Sequence, residues 1–221
     1  MKTKCMKTKD RIIQASLEMF NEQGERNVTT NHIAAHLGIS PGNLYYHFRN
    51  KSDIIFAIFK SYEALVDDYL ALPKQHGSDI ETLINYLEST VSGLWAYRFL
   101  HRDLEHLMES DPRLRTDYRQ FTLRCLDAVQ VITRFMEQSG LYRPLDDARR
   151  EALALNVWLI VTNWMTYLKT IHRKTEITRR ELSHGVYQML EYLIPYLDQR
   201  WEQEARDLQR AYYCPDILRA L

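Results

Sequence analysis

Residues 28–53, VTTNHIAAHLGISPGNLYYHFRNKSD, leave this chain few folds to choose from. Thr29 and Thr30 are hydroxyl residues of the kind whose side-chain oxygen takes one of the N–H groups orphaned at a helix start. Ile33, Ala34 and Leu37, at i, i+1 and i+4, then give 31–37 a narrow apolar stripe. Gly38 stops the helix, because glycine takes the left-handed conformation that a helix C-terminus wants, and Ile39 plugs the turn. Ser40 is placed to cap a second helix, and Pro41 suits its first position, where a missing N–H costs nothing. That helix covers 41–47, with Leu44 and Phe48 turned toward the first. Two short helices and a tight glycine turn make a helix-turn-helix.

The face turned away from this packing carries Gly42, Asn43, Tyr45, Tyr46 and His47, with Lys51 just beyond. Hydroxyl, imidazole and ammonium donors within about two turns match the phosphate oxygens of a nucleic-acid backbone. Gly42 lets the helix start approach a groove closely, and Ser40 and Asn43 are short enough to reach base edges or nearby phosphates. The competing assignment makes Tyr45, Tyr46 and Phe48 core aromatics. It suits Phe48, but adjacent helix positions point about 100° apart, so Tyr45 and Tyr46 cannot both be buried in so short a helix.

The flanking sequence supplies the rest of an N-terminal domain. Residues 7–23 carry Ile12, Ile13, Ala15, Leu17, Met19 and Phe20, an amphipathic helix ended by Gly24, which gives the two short helices something to pack on. Asn50 and Asp53 stand in cap and N3 positions for a long helix over 51–72 that links this domain to the C-terminal part of the chain. The cluster PKQHGS at 73–78 breaks it. Beyond it the spacing predicts helices over 80–108, 112–139 and 147–171, then one capped by Thr178 and reaching 200 with Pro195 as a kink or break, and a tail from Trp201 that breaks at Cys214-Pro215. No strand alternation occurs, so the predicted fold is all-α.

Charge narrows the function. The 221 residues sum to a net charge of zero, yet residues 1–55 hold eight Lys or Arg against five acids. A basic segment on a slightly acidic body fits a protein that touches DNA with one end, and argues against a general nucleic-acid coat. Lys2, Lys4, Lys7 and Lys9 form a basic arm that either meets phosphate or a minor groove, or is simply solvated. Cys5, Cys125 and Cys214 are odd in number and far apart, which suggests neither a disulfide framework nor a metal site and fits a reducing cytosol. No apolar run is long enough to span a membrane and no signal peptide is recognisable, so a cytoplasmic protein is expected. No GxSxG, P-loop, GxGxxG or HExxH is present, so no catalytic residue and no cofactor is expected.

Thr30, Ile33, Ala34, Leu37, Gly38, Ser40, Gly42, Leu44, Tyr45, Tyr46, His47, Phe48, Lys51, Ile54 and Ile55 match, in order and spacing, the N-terminal motif of the tetracycline-repressor (TetR) family, which this stretch resembles. The resemblance covers the first 55 residues or so; the remainder is similar in length and helical character. It implies a one-component regulator: a three-helix domain over 1–55 that binds a palindromic double-stranded operator, and a helical domain over 56–221 that dimerises and binds a small molecule. Thr29, Thr30, Ser40, Pro41, Gly42, Asn43, Tyr45, Tyr46, His47 and Lys51 are then the expected DNA contacts. The alternative is a helical adaptor of the same fold that no longer binds DNA.

Two stretches of the second domain carry further expectations. The run LALNVWLIVTNWMTYL at 153–168 is apolar on nearly every side and must be covered all round. Paired with the helix holding Gly185, Met189 and Leu193, it is expected to form half of an intersubunit four-helix bundle through Val157, Ile160 and Val161, as the last two long helices of this family generally do. One buried helix in a monomer core is the alternative. Trp95, Arg98, Phe99 and Arg102, with Trp158 and Trp164, are the expected lining of a pocket for a mostly apolar effector. In it Arg98 and Arg102 either grip a ligand carboxylate or pair with Glu105. His101 and Glu105 have the spacing of a helical metal pair, but no metal site is expected.

Overall fold

The computed structural model describes residues 7–71, 79–171, 177–215 and 217. The breaker cluster at 73–78, Lys2, Lys4 and Cys5 lie outside the described residues. The described chain is all-α: α1 (Thr8–Gln23), α2 (Thr30–Leu37), α3 (Pro41–His47), α4 (Lys51–Tyr69), α5 (Ile80–Ala96), α6 (Arg98–Arg102), α7 (Leu104–Ser110), α8 (Pro112–Gln138), α9 (Asp147–Ile171), α10 (Arg179–Leu193) and α11 (Gln199–Gln209).

Side-chain caps account for most of these starts. Thr29 accepts from the His32 N–H while the Thr29 N–H donates to His32 Nδ1, a reciprocal box that begins α2. Ser40 accepts from the Asn43 N–H with Pro41 at the first position of α3. Asn50, Asp79 and Asp146 accept from the N–H groups of Asp53, Thr82 and Arg149, starting α4, α5 and α9. Thr178 and Glu181 repeat the reciprocal box at α10. Gly38, at φ 64°, sits in the left-handed region and lets the Ile39 N–H return to the Ala34 carbonyl.

The chain packs into two compact units, residues 1–64 with 97–119 and residues 65–96 with 120–221. Ile12, Phe20, Ile33, Leu44, Ile54, Ile58, Phe59, Phe99 and Leu114 are buried in the first. The second closes on Leu83, Leu87, Met136, Leu168, Leu182, Val186, Leu190 and Leu193.

One predicted helix is broken in the structure. Instead of a single helix over 80–108, the chain leaves helical geometry at Tyr97 (φ −117°, ψ 31°) and again at Asp103 (φ −115°, ψ 15°). The cause is tertiary. Phe99 is fully buried against Phe20, ring centroids 5.1 Å apart, and its N–H donates to Asn21 Oδ1 at 3.1 Å instead of to a carbonyl of α5. Arg102 then donates to the Phe20 carbonyl at 3.0 Å and pairs with Asp103, so α6 is clamped to the end of α1.

The helix expected to run to 200 also stops early. Pro195 lies in a 3₁₀ turn, Ile194–Tyr196, after which Asp198 caps a separate α11. Loop 141–143 is pinned to this link: the Arg143 N–H donates to the Tyr196 carbonyl and its guanidinium to the carbonyls of Pro195 and Leu197.

Candidate nucleic-acid interface

Leu44 and Phe48 are buried against the first unit's core, which fixes the rotation of α3 and turns its other face to solvent. Ser40, Pro41, Gly42 and Asn43 are exposed, as is Thr29, while Thr30 and His47 are half-buried. Tyr46 stands 84% exposed, its ring edge-on to His47. Tyr45 is exposed too, but its hydroxyl is hydrogen-bonded to that of Thr30 at 3.0 Å, which ties the middle of α3 to the first turn of α2. The surface thus has two kinds of donor: a freely presented phenol at Tyr46 and a preorganised hydroxyl pair at Thr30 and Tyr45.

Lys51 does not share this face as expected. Its ammonium lies 2.6 Å from the Glu25 carboxylate and donates to the carbonyls of Glu25 (3.0 Å) and Val28 (3.1 Å). An ammonium has three donors, and all three are used inside the protein. Glu25 itself is buried, so Lys51 braces the start of α4 against the turn that precedes α2.

The residues expected to line one pocket are separated. Phe99 and Arg102 are committed to α1, and Arg102 pairs with Asp103 rather than Glu105. Arg98 is half-buried; burial, helped by the nearby Arg102 charge, lowers its pKa against the pull of Glu22. His101 is buried and hydrogen-bonded through Nε2 to the Tyr62 hydroxyl at 3.0 Å, and burial holds its pKa at about 4. It is therefore a neutral core residue; no cluster able to hold a metal occurs among the described residues. Trp158 packs edge-on against Phe121. Trp164 stacks on Tyr167 and donates from Nε1 to the Glu181 carbonyl. Of the six, Trp95 lines a cavity, with Glu88, Arg179 and Tyr212.

A second cavity, of about 70 Å³, lies among α5, α8, α9 and the residues after α4, lined by Leu70, Tyr86, Thr90, Thr133, Tyr142 and Val157 among others. Its hydroxyls are mostly spent: Tyr86 donates to the Ala71 carbonyl, Thr90 to that of Tyr86 and Thr133 to that of Val129. Tyr142 is the exception. Its hydroxyl has no hydrogen-bond partner among the described residues, and burial pushes its pKa up, so it stays a donor. Nothing in the one-dimensional pattern marks Tyr142, which is brought there by the turn at Gly140.

The residues expected at an intersubunit bundle pack into their own chain. Val161, Met189 and Leu193 are buried within their own chain, Val157 lines the cavity, and Ile160 packs partly buried against the same core. Gly185 admits the Trp164 ring, whose Cδ1 would lie 2.9 Å from an added Cβ, so the close approach it permits is between α9 and α10 of one chain. The opposite side of α9 is the open one: Leu155 is 46% exposed and Leu159 48%, with Asn156 and Asn163 beside them donating to their own helix carbonyls. Two asparagines seven apart on an otherwise greasy helix were the available signal for its outer face.

Comparisons with known proteins agree with this architecture. Residues 12–58 match the family model described as bacterial regulatory proteins, tetR family, and residues 61–204 match that of a bacterial transcriptional repressor. A TetR-family transcriptional regulator from Marinobacter aquaeolei VT8 is 53% identical, with a TM-score of 0.87 over 95% of this chain and 100% of that one. An HTH-type transcriptional regulator of Staphylococcus aureus (strain USA300) is 31% identical over 147 residues, 66% of this chain and 68% of its own length. With another, from strain bovine RF122, the match spans 58% of the relative's length. A putative transcriptional regulator from Saccharomonospora viridis, solved in complex with choline, shares the fold at a TM-score of 0.68 and 18% identity. Among the described residues no helix is long and apolar enough to cross a membrane.

Proposed function

The chain belongs to the tetracycline-repressor family of transcriptional regulators, DNA-binding proteins rather than enzymes, and on that premise we propose that it is a cytoplasmic homodimeric repressor released from a palindromic operator by a small, mostly apolar ligand. The observation that carries the reading is the exposed face of α3, where Tyr46 is presented and Tyr45 is held by Thr30. In this reading residues 1–55 are the reading head. Tyr45, Tyr46, His47 and Thr30 meet phosphates, and Ser40, Pro41, Gly42, Asn43 and Thr29 border the groove. Lys51 supports the head from within.

A second copy of this chain covers the open side of α9. Leu155 and Leu159 are one turn apart, and the Asn156 and Asn163 amides are turned onto their own backbone, which lowers the polarity of that stripe. Two such stripes crossing at a two-fold axis would make a self-complementary contact, in which the Asn oxygens still have acceptor capacity for the partner.

The effector enters the cavity that holds the Tyr142 hydroxyl. Its walls call for an apolar molecule with one hydrogen-bond acceptor, because Tyr142 is the one donor left over. At about 70 Å³ the cavity holds only a few heavy atoms, so a larger ligand must spread its walls. Leu70, one residue past the end of α4, is one of those walls, and α4 begins at the reading head. Ligand entry thus favours a conformation in which the two heads no longer match sites about 34 Å apart, a population shift with no new contact to DNA. The choline held by the Saccharomonospora viridis regulator supports a small-molecule effector in general terms.

The test is fluorescence anisotropy of the purified protein with DNA flanking its own gene, against scrambled competitor DNA and over a salt series. Selective, saturable binding that weakens by about tenfold in Tyr46→Ala, with unchanged stability, is expected. Binding no better than to scrambled DNA, there and after selection from random sequences, would favour the adaptor instead.

A further inference from the structure

We propose that the cavity of about 250 Å³ between α5, α10 and the C-terminal 3₁₀ turn is a second small-molecule site, shaped for a zwitterion whose carboxylate sits on Arg179 and whose ammonium sits on Glu88. It shares no lining residue with the cavity of Tyr142, so it stands or falls apart from the effector reading. Its floor is apolar, with Trp95 and Val186, and its rim is polar, with Glu88, Arg179, Ser183 and Tyr212.

Two opposite charges face this one cavity without touching. Arg179 opens α10 and is exposed; among the described residues its guanidinium has no ion-pair partner. The acid nearest in its own helix turn, Glu181, is taken: its carboxylate accepts from the Thr178 N–H at 2.7 Å and the Thr178 hydroxyl at 2.8 Å. Across the cavity the Tyr212 hydroxyl donates to Glu88 Oε1 at 2.6 Å. Burial, with the Glu88 carboxylate beside it, pushes the Tyr212 pKa up, so the phenol keeps its proton and stays the donor to Glu88. One carboxylate oxygen of Glu88 is thereby oriented and the other remains for a cation. The Arg179 and Glu88 side chains are both exposed, so little energy draws them together, and the space between them is kept.

A simple anion would satisfy Arg179 and leave Glu88 repelling it, and a simple cation would do the reverse. A zwitterion with a short apolar stem satisfies both ends, while the stem covers Trp95 and Val186. The carboxylate suits the planar guanidinium fork, with the Ser183 hydroxyl beside it, and the ammonium suits the Glu88 carboxylate. Because the three walls come from α5, α10 and the 210–212 turn, occupancy would tie the C-terminal turn to the two helices.

Isothermal titration of the full chain with the series H₃N⁺(CH₂)ₙCOO⁻, from β-alanine to 6-aminohexanoate, tests this, with pentanoate and pentylamine as single-charge controls. Saturable binding that peaks at one chain length is expected, about tenfold or more tighter than either control. Arg179→Met and Glu88→Gln, both exposed positions, should each weaken that binding by about tenfold while leaving the melting temperature in place. The proposal is overturned if no member of the series binds below about 10 mM. It is equally overturned if pentanoate or pentylamine binds as well as the best zwitterion, or if either variant binds like the parent.

Discussion

Replacing Lys51 by methionine separates a brace from a phosphate contact. In the structure the ammonium sits 2.6 Å from a Glu25 side chain that is 5% exposed, and it also satisfies the carbonyls of Glu25 and Val28. Removing one partner of a buried pair costs about 3–5 kcal/mol, because the remaining charge is stranded. The Lys51 side chain is itself 29% exposed, so water screens part of this, and about 2–3 kcal/mol is expected. Exchanging Glu25 for glutamine in the same chain removes the stranded charge, and the double variant should lose only about 1 kcal/mol. Urea unfolding followed by far-UV circular dichroism measures this. All four tryptophans lie in the second unit, so their fluorescence tells whether the loss is confined to the first. A Lys51→Met protein within about 0.5 kcal/mol of the parent, whose DNA affinity has a salt slope shallower by about one, would refute the brace and return Lys51 to the phosphate backbone.

Three more outcomes are expected. Gly185→Ala places a Cβ 2.9 Å from the Trp164 ring, which its stacking on Tyr167 and its bond to Glu181 hold in place; about 1–2 kcal/mol of destabilisation should appear by urea unfolding with altered tryptophan emission. Burial keeps the folded His101 at about 4, below its ordinary 6.5, so between those values the unfolded chain binds a proton that the folded one refuses and stability falls with acid. Between pH 7.5 and 5 this amounts to about 2 kcal/mol; His101→Gln should remove that share of the acid loss, leaving the smaller one from His184, which burial also lowers. Leu155→Glu together with Leu159→Glu should leave a monomer in sedimentation velocity with the melting behaviour of the parent chain at dilution, since both side chains are half exposed already.

How far the chain could be read in advance depended on where each element finds its partners. The start of α3 could be placed because its signals, Ser40 and Pro41, are local to it, and that of α9 likewise through Asp146. The break between α5 and α6 could not, since it depends on Phe20 and Asn21, far away in the chain, drawing in Phe99. That Tyr45 and Tyr46 are not both buried followed from helix geometry alone, whereas the Thr30 hydroxyl partner of Tyr45 did not. Lys51 was misplaced because charge alone does not say whether an acid such as Glu25 waits inside. On α9 the apolar residues run all round, so hydrophobic periodicity has no phase there and does not tell the side of Val161, which is buried, from that of Leu155 and Leu159, which is open.

The first unit is visited twice by the chain, and this limits how it can be recombined. Phe20 rests on Phe99, Tyr62 bonds to His101, and Phe59 packs on Tyr118. A hybrid regulator cut anywhere between 55 and 64 would part Phe20 from Phe99, and one cut after Tyr62 would part all three pairs; either bares aromatic surface at the seam. Heads of this kind are exchangeable only as a matched pair of segments, 1–64 with 97–119, and relatives that differ in one should show compensating changes in the other.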